Sequence, residues 1–240
     1  MGAGASTFYY GIQMRLASPL IGFLLLVACG SSPSPPYQPP RDAPPEPPPR
    51  SEAPDGRPVI VAFGDSLTAG FGADPGKSYP DFLQQELDRR GYRYRVVNAG
   101  ISGETTTDAL ARLSTVTALK PAVVIVEFGG NDGLRGLPIA ATRSNLDQIV
   151  AGLRQSGAAI LLAGMTLPPN YGPDYIHDFQ LIYSSLATAH KVALIPFLLA
   201  GVAGTTRYMQ QDGLHATAEG NRLVAATVMR YLEPLLRTKR

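Results

Sequence analysis

Residues 59–68 read VIVAFGDSLT and contain the transition that decides the fold. The five apolar residues at 59–63 show no polar alternation, which is typical of a strand covered on both faces. Gly64, Asp65 and Ser66 follow directly and predict a sharp corner at the end of that strand. Further apolar runs predict four more strands, at residues 94–98, 123–128, 159–164 and 192–195.

Amphipathic stretches lie between and after these strands. They predict helices at residues 79–90, 106–117, 141–155, 176–190 and 218–236. The alternation of strand and helix predicts an α/β domain over residues 59–240, with a mainly parallel five-stranded sheet between helical layers. In such a sheet we expect the reactive groups in loops at the carboxyl ends of the strands.

The composition excludes several classes of protein. Of the 240 residues, 45% are hydrophobic and 17% are charged, which is enough apolar material for a core and too little charge for a disordered chain. The formal charge is +2 and the basic residues form no block, which argues against a nucleic-acid partner. One cysteine and three dispersed histidines argue against a disulfide framework and a metal site, so we expect neither metal nor cofactor.

The first 28 residues predict an export signal. Arg15 precedes a short apolar run at 16–28, which is too short to span a bilayer and ends directly before Cys29. This segment resembles a bacterial lipoprotein signal, which implies lipidation of Cys29 and a periplasmic protein anchored to the envelope, the outer membrane being favoured because Gly30 follows. If translation begins at Met14, residues 1–13 come from an over-extended reading frame. A buried helix is the alternative interpretation.

Residues 29–58 predict a tether between the anchor and the domain. Twelve prolines at 30–58 exclude helix and central strand. As polyproline II, at about 3.1 Å per residue, this stretch could hold the domain as much as ~90 Å from its anchor. A proline ligand at 36–39 for a partner domain is the alternative.

Ser66 and His215 are the candidate nucleophile and base. A serine hydroxyl becomes nucleophilic when an imidazole takes its proton, and that imidazole needs an acceptor on its other nitrogen. His215 lies in a polar loop three residues after Asp212, just before the last predicted helix. The structural alternatives are that Asp65 or Ser66 only caps a helical turn and that His215 only packs beside a helix start. His177 also has acidic neighbours, whereas His190 at a helix end is interpreted as a surface residue.

Two glycine-containing loops offer candidate oxyanion donors. Residues 98–105 read NAGISGET and residues 127–133 read EFGGNDG. Their glycines allow backbone N–H groups to face a cleft, and the Asn131 amide can donate without carrying a charge. Each loop alone is better explained as an ordinary turn. Four loops that together offer serine, glycine, asparagine and an Asp/His pair predict acyl-transfer chemistry.

Four blocks of the sequence resemble those of the GDSL or SGNH hydrolases, a family named for the Ser, Gly, Asn and His that its four blocks carry. The blocks are GDSL at 64–67, one centred on Gly103, GGND at 129–132 and DGLH at 212–215. The resemblance covers about residues 59–236. The stretches GGNDGLRG at 129–136, PNYG at 169–172 and YMQQDG at 208–213 resemble the arylesterase, acyl-thioesterase and lysophospholipase branch. One position departs from it, since Ala216 follows the last block where many members carry proline.

The resemblance implies a flavodoxin-like three-layer α/β/α fold. It implies that Ser66 is the nucleophile, His215 the general base and Asp212 the acid that orients the base. It also implies an oxyanion hole formed by the Ser66 N–H, the Gly103 N–H and the Asn131 amide.

The predicted reaction is a two-step serine hydrolysis of a small-molecule acyl ester or thioester by a monomer. Residues 167–176, LPPNYGPDYI, are interpreted as a pocket wall because prolines and tyrosines form a rigid apolar surface, although a plain surface loop is the alternative. The predicted substrate-binding residues are Asp65, Leu67, Pro169, Asn170 and Tyr171.

Other functions stay open at this point. A carbohydrate or peptidoglycan O-acetylesterase would use the same triad and prefer acetylated sugars. A non-catalytic envelope lipoprotein would carry a degraded triad, and an α/β-hydrolase would carry the G-x-S-x-G motif that residues 63–67 lack. A paired-carboxylate glycosidase would use the acidic residues Asp65, Glu104, Glu127 and Asp132.

Overall fold

The computed structural model describes residues 56–236, so the predicted export signal, Cys29 and nearly all of the tether lie outside the described residues. A five-stranded sheet runs through the centre, in the order β2-β1-β3-β4-β5, and every neighbouring pair is parallel. The strands are β1 Val59–Gly64, β2 Arg95–Gly100, β3 Val123–Glu127, β4 Ala159–Ala163 and β5 Ala193–Ile195. The predicted parallel α/β fold is confirmed.

Two layers of helices cover the sheet. The helices are α1 Ser66–Ala69, α2 Tyr79–Arg89, α3 Thr106–Ala111, α4 Leu113–Thr117, α5 Gly130–Leu134, α6 Ile139–Gln155, α7 Pro173–His190 and α8 Ala218–Leu232, and Pro169–Tyr171 and Glu233–Leu235 form short 3-10 turns. Helix α2 packs on α8 in one layer, and α6 contacts α3, α4 and α7 in the other. No helix within residues 56–236 is both long and apolar enough to cross a membrane.

The central strands are buried on both sides, as their continuous apolar runs predict. Residues Ile60, Val61 and Phe63 of β1 are fully buried, and every residue of β3 is buried. Phe63 and Phe128 meet edge to face with ring centroids 4.7 Å apart. Because helices cover both faces, neither face of these strands needs polar residues.

All five predicted helices have different bounds in the structure, and the physical reason is visible for two of them. The helix predicted over 106–117 is divided at Arg112, whose φ of −105° and ψ of 13° are not helical. The helix predicted to reach 236 ends at Leu232, because Pro234 two residues later lacks the N–H that would continue it. The short helices α1 and α5, which follow β1 and β3, were not predicted from the pattern.

The carboxyl ends of three strands meet at one point. Gly64 at the end of β1 is in register with Gly100 of β2 and with Glu127 of β3. The chain leaves β1 toward the layer of α2 and leaves β3 toward the layer of α6, so the crossovers change sides between these two strands. This is the switch point at which parallel α/β proteins bind their ligands.

Candidate active site

Ser66 lies at the corner between β1 and α1. The Asp65 carboxylate accepts the Leu67 N–H at 3.1 Å and caps α1, which begins at Ser66. No side chain fits at Gly64, because a Cβ there would lie 2.0 Å from Thr68 Oγ1 and 2.5 Å from Glu127 Oε2. The capping alternative and the nucleophile prediction are therefore compatible, since Asp65 caps the helix and leaves the Ser66 hydroxyl at its start.

Three predicted residues form a continuous hydrogen-bonded line. Ser66 Oγ and His215 Nε2 are 2.8 Å apart, and His215 Nδ1 and Asp212 Oδ2 are 2.6 Å apart. Partial burial raises the pKa of Asp212, but hydrogen bonds from the His215 ring and from the His215 and Leu214 N–H groups outweigh it and lower the pKa to about 2. Asp212 is thus an ionised acceptor that orients the imidazole toward Ser66.

The loop that carries His215 is closed by its own backbone and by Gln210. The Gln210 N–H donates to the His215 carbonyl at 2.8 Å, and the Gln210 side-chain amide donates to the carbonyls of Phe71 at 2.7 Å and Ala216 at 2.9 Å. Ala216 is buried and forms an isolated β-bridge with Met209. Gln210 therefore joins this loop to the segment after Ser66 although proline is absent at Ala216.

Two loops bring the predicted oxyanion donors to the same place. Gly103 has a φ of +84°, which favours glycine, and its carbonyl accepts from Arg135 at 2.8 Å. The Asn131 amide donates to Asp65 Oδ2 at 3.0 Å and to the Glu104 carbonyl at 2.9 Å. Ser66, Gly103 and Asn131 all line one cavity together with His215.

Arg112, which pattern analysis missed, holds this end of the sheet together. Its guanidinium pairs with the Glu104 carboxylate and donates to the carbonyls of Ala99 at 2.9 Å and Gly64 at 3.3 Å. It also lies 4.6 Å from the centroid of the Phe63 ring. One side chain therefore connects the ends of β1 and β2 with the loop that carries Gly103, and no local sequence signal marks it.

Two carboxyl groups are buried beneath the corner. Asp65 is 2% exposed and Glu127 is fully buried. Burial raises the pKa of Glu127 well above its ordinary value, and the neighbouring Asp65 raises it further. Burial also raises the pKa of Asp65, opposed by hydrogen bonds from the Leu67 N–H, Glu127 and Asn131 and by the charge of His215. Because Glu127 has no access to a ligand, a paired-carboxylate glycosidase is not supported.

An apolar cavity of about 590 Å³ opens at the Ser66–His215 pair. Its apolar lining includes Leu67, Phe71, Met165, Leu167, Leu199 and Leu214. Most of these were missed, because they come from four separate loops whose convergence depends on the sheet order. Their only sequence signal is that Met165 and Leu167 follow β4, and Leu199 follows β5, at the carboxyl ends.

The predicted pocket wall lines the cavity only in part. Asp65, Leu67 and Pro169 line the cavity, whereas Asn170 and Tyr171 do not. Asn170 is exposed, and the Tyr171 hydroxyl donates to the Leu134 carbonyl at 2.7 Å. Of the predicted wall, residues 167–169 line the cavity and residues 170–176 do not.

The other histidines lie away from this site. His177 is exposed on α7, and His190 Nε2 lies 2.6 Å from Asp147 Oδ1 of α6. Among residues 56–236, no three His, Cys, Asp or Glu side chains are grouped as metal ligands.

Comparisons with known proteins agree on one family. The GDSL-like Lipase/Acylhydrolase family profile matches residues 62–223. Esterase TesA from Pseudomonas aeruginosa is 44% identical over 179 residues, which are 74% of this chain and 89% of that protein. Thioesterase 1/protease 1/lysophospholipase L1 from Escherichia coli (strain K12) is 36% identical over 179 residues, which are 74% of this chain and 85% of that protein.

A solved structure supports the same family. The psychrotrophic esterase EstA from Pseudoalteromonas sp., inhibited by monoethylphosphonate, has a TM-score of 0.70 and 30% sequence identity, over 73% of this chain and 97% of that chain. The resemblance inferred from the four sequence blocks is confirmed, and the chain belongs to the GDSL-like lipase/acylhydrolase family.

Proposed function

We propose that the protein hydrolyses acyl esters or thioesters through a Ser66–His215–Asp212 triad and an acyl-enzyme. One observation carries this proposal: the Ser66, His215 and Asp212 side chains are joined by contacts of 2.8 and 2.6 Å at the opening of an apolar cavity. A nucleophile, an aligned base and an apolar binding space are what acyl transfer to serine requires.

In the first step, Ser66 Oγ attacks the carbonyl carbon of the substrate and its proton passes to His215 Nε2. The negative charge that develops on the carbonyl oxygen is stabilised by the Ser66 N–H, the Gly103 N–H and the Asn131 amide N–H that donates to the Glu104 carbonyl in the free protein. Asp212 accepts the Nδ1–H of the imidazolium. When the tetrahedral intermediate collapses, the bond to the alcohol or thiol breaks, and this leaving group takes the proton from His215.

In the second step, water repeats the same chemistry on the acyl-enzyme. His215 takes a proton from the water as its oxygen attacks the acyl carbonyl carbon, and the same donors stabilise the second oxyanion. Collapse breaks the bond to Ser66 Oγ, which recovers its proton from His215. The products are a carboxylic acid and the free enzyme, and the balance requires only water.

The lining of the cavity favours an acyl chain over an acetyl group. Side chains such as Met165, Leu167 and Leu199 would contact an alkyl chain but would leave the hydroxyls of an acetylated sugar without partners. The printed names of the relatives, an esterase and a thioesterase/lysophospholipase, agree with an acyl substrate. We therefore favour acyl esters and thioesters over O-acetylated sugars.

Hydrolysis of p-nitrophenyl esters from acetate to palmitate, with acyl-CoA thioesters alongside, tests this proposal. We expect wild type to prefer chains longer than acetate, and we expect Ser66→Ala to lower kcat by at least about 10³-fold, because removing the nucleophile leaves only binding and oxyanion stabilisation. A preference for acetate alone would favour the O-acetylesterase. Equal rates for wild type and Ser66→Ala would remove the catalytic assignment and favour a binding role.

We also propose that the mature protein is a monomer held at the bacterial envelope, in the periplasm, by a lipid on Cys29. The support is the sequence before it, a basic residue followed by a short apolar run that ends at Cys29. Metabolic labelling with a radioactive fatty acid should label wild type but not Cys29→Ser. Labelling of both proteins, or of neither, would contradict the anchor.

A further inference from the structure

Asp65 accepts a hydrogen bond at each of its carboxylate oxygens. Oδ1 accepts the Leu67 N–H at 3.1 Å, and Oδ2 accepts the Asn131 amide at 3.0 Å. The first bond sets the start of α1, and the second fixes an oxyanion donor. Asp65 therefore serves the nucleophile corner and the oxyanion hole with one side chain, and both bonds require that its oxygens act as acceptors.

One side-chain oxygen of Glu127 accepts hydrogen bonds, and the other accepts none. Its Oε2 accepts the Asp65 N–H at 3.2 Å and the Thr68 hydroxyl at 2.8 Å. Its Oε1 is buried, and no N–H or hydroxyl group of the described residues donates to it. The side chains of Glu127 and Asp65 are nevertheless in hydrogen-bonding contact.

Two carboxylates cannot form a hydrogen bond unless one of them carries a proton. Both oxygens of Asp65 already accept N–H groups, and Oε2 of Glu127 accepts two donors. Oε1 of Glu127 is the one oxygen of the pair that is free of donors, so it is where a proton can reside and be donated to Asp65. Two like charges buried side by side are also strongly unfavourable, which selects a single shared proton.

The surroundings of the pair favour a neutral Glu127. The phenols of Tyr79 and Tyr183 lie close by and stay neutral, because burial raises the pKa of each. The other titratable groups nearby are His215, which acts on Asp65, and Asp132. The Arg112 guanidinium, which donates to the Gly64 carbonyl, is paired with Glu104 and also donates to the Ala99 carbonyl.

We propose that Glu127 is a positioning residue for the hydrolysis proposed above, a neutral carboxylic acid whose Oε1 hydroxyl donates to the Asp65 carboxylate and holds it against the Asn131 amide. The inference rests on the proposed function for its kinetic consequence only. Without the Glu127 donor, the buried Asp65 charge loses a partner, and Asn131 loses the fixed acceptor that aims its amide.

The position of the proton can be measured directly on the full chain. Infrared difference spectra between wild type and Glu127→Gln are recorded at about pH 8, where an ordinary glutamate with a pKa of about 4.3 is ionised. We expect a carboxylic-acid C=O band in wild type that shifts in D₂O and is absent from Glu127→Gln. A band of ionised carboxylate in its place would overturn the proposal.

Asp132 is a matched control for this spectrum. It is as buried as Asp65, but both of its oxygens accept donors, Oδ2 from the Thr106 N–H at 2.9 Å and Oδ1 from the Thr106 hydroxyl. Unlike Glu127, it has no side-chain oxygen without a donor. The difference spectrum between wild type and Asp132→Asn should show no acid band, and an equal band there would mean that burial alone produces the signal.

The kinetic test compares two substitutions at Glu127. Glutamine keeps an acceptor for the Asp65 N–H and a donor for the Asp65 carboxylate, so Glu127→Gln should stay within about threefold of wild type in kcat. Leucine keeps the volume and removes both, so Glu127→Leu should lower kcat about 10- to 100-fold with KM less changed, which is below the 10²–10³-fold typical of deleting an oxyanion donor.

The outcomes separate this inference from the proposed function. If the acid band is present but the protein hydrolyses no ester, the protonated Glu127 is supported and the proposed function is contradicted. If the protein hydrolyses esters but shows no acid band, the positioning role of Glu127 is overturned and the proposed function is supported. The same conclusion follows if Glu127→Gln is as slow as Glu127→Leu. If Glu127→Leu does not fold, the Glu127→Gln rate and the spectrum still decide.

Discussion

The two ends of the hydrogen-bonded line Ser66–His215–Asp212 are positioned differently. The corner at residues 64–68 is part of the core: Asp65 is 2% exposed and Thr68 is fully buried. The loop at residues 210–215 contains no buried residue, and its Asp212 side chain is 37% exposed. The corner is therefore positioned by the sheet, whereas the loop is positioned by local hydrogen bonds such as those of Gln210.

Because of this difference, we expect substitutions in the corner and in the loop to affect stability and activity differently. A change in the corner disturbs β1, α1 and the buried carboxyls together, so it should affect both folding and catalysis. A change in the loop removes chemistry but few buried contacts, so it should affect catalysis far more than folding.

His215→Ala should give the largest effect on rate. We expect kcat/KM to fall by about 10⁴-fold or more, because Ser66 loses its base, while the free energy of unfolding changes by less than about 1 kcal/mol. Steady-state kinetics and urea unfolding measure the two quantities. His177→Ala, an exposed histidine on α7, is the control and should match wild type in both. If kcat/KM of His215→Ala falls by less than about tenfold, His215 is not the general base.

Gly64→Ala should destabilise the corner because the added methyl group has no space. The new Cβ would lie 2.0 Å from Thr68 Oγ1 and 2.5 Å from Glu127 Oε2, both in buried positions. We expect the free energy of unfolding to fall by about 1–3 kcal/mol, with a lower kcat in the protein that remains folded. Urea unfolding of this variant measures the loss.

Gly152→Ala in α6 is the matched control for Gly64→Ala. Its added Cβ meets the end of the Leu113 side chain, at 2.7 Å, and that side chain can move. Alanine also favours the helix, so this variant should be as stable as wild type or slightly more stable. Equal losses in both variants would mean that the corner is no tighter than a helix surface.

The Asp212–His215 pair should make the smallest contribution to stability, and this contribution is visible in its pH dependence. The pKa of Asp212 falls from 3.8 to about 2 in the folded protein. A lowered pKa stabilises the fold above the ordinary value, and this contribution is lost as the pH falls through the folded value. The stability difference between wild type and Asp212→Asn should therefore be constant above about pH 4 and shrink between about 4 and 2. Ser66→Ala keeps the pair and should follow wild type; a difference that does not shrink in this window would contradict the ionised pair.

The sheet and the corner could be predicted from local sequence because their signals are local. Continuous apolar runs identify buried parallel strands, and the GDS sequence after β1 identifies the corner. Ser66, Asp212 and His215 could be selected because each lies at a strand end or before a helix. The early end of α8 was also readable, since Pro234 is visible in the sequence.

Features that depend on distant contacts could not be predicted in this way. The break at Arg112 accompanies contacts of its side chain with Glu104 and with the carbonyls of Ala99 and Gly64, which only the sheet order brings near. The cavity lining has the same origin, since Met165 and Leu199 become neighbours only in the folded sheet. The contact between Asp65 and Glu127 joins positions 62 residues apart, which no local pattern connects.

The central claim is that Ser66 is the nucleophile, and covalent trapping tests it most directly. The full chain is incubated with a p-nitrophenyl alkylphosphonate, which stops at the phosphonylated nucleophile, and the adduct is located by peptide mass spectrometry. We expect one adduct per chain on Ser66, slower labelling of His215→Ala and no labelling of Ser66→Ala. An adduct on another residue, or equal labelling of Ser66→Ala, would contradict the account.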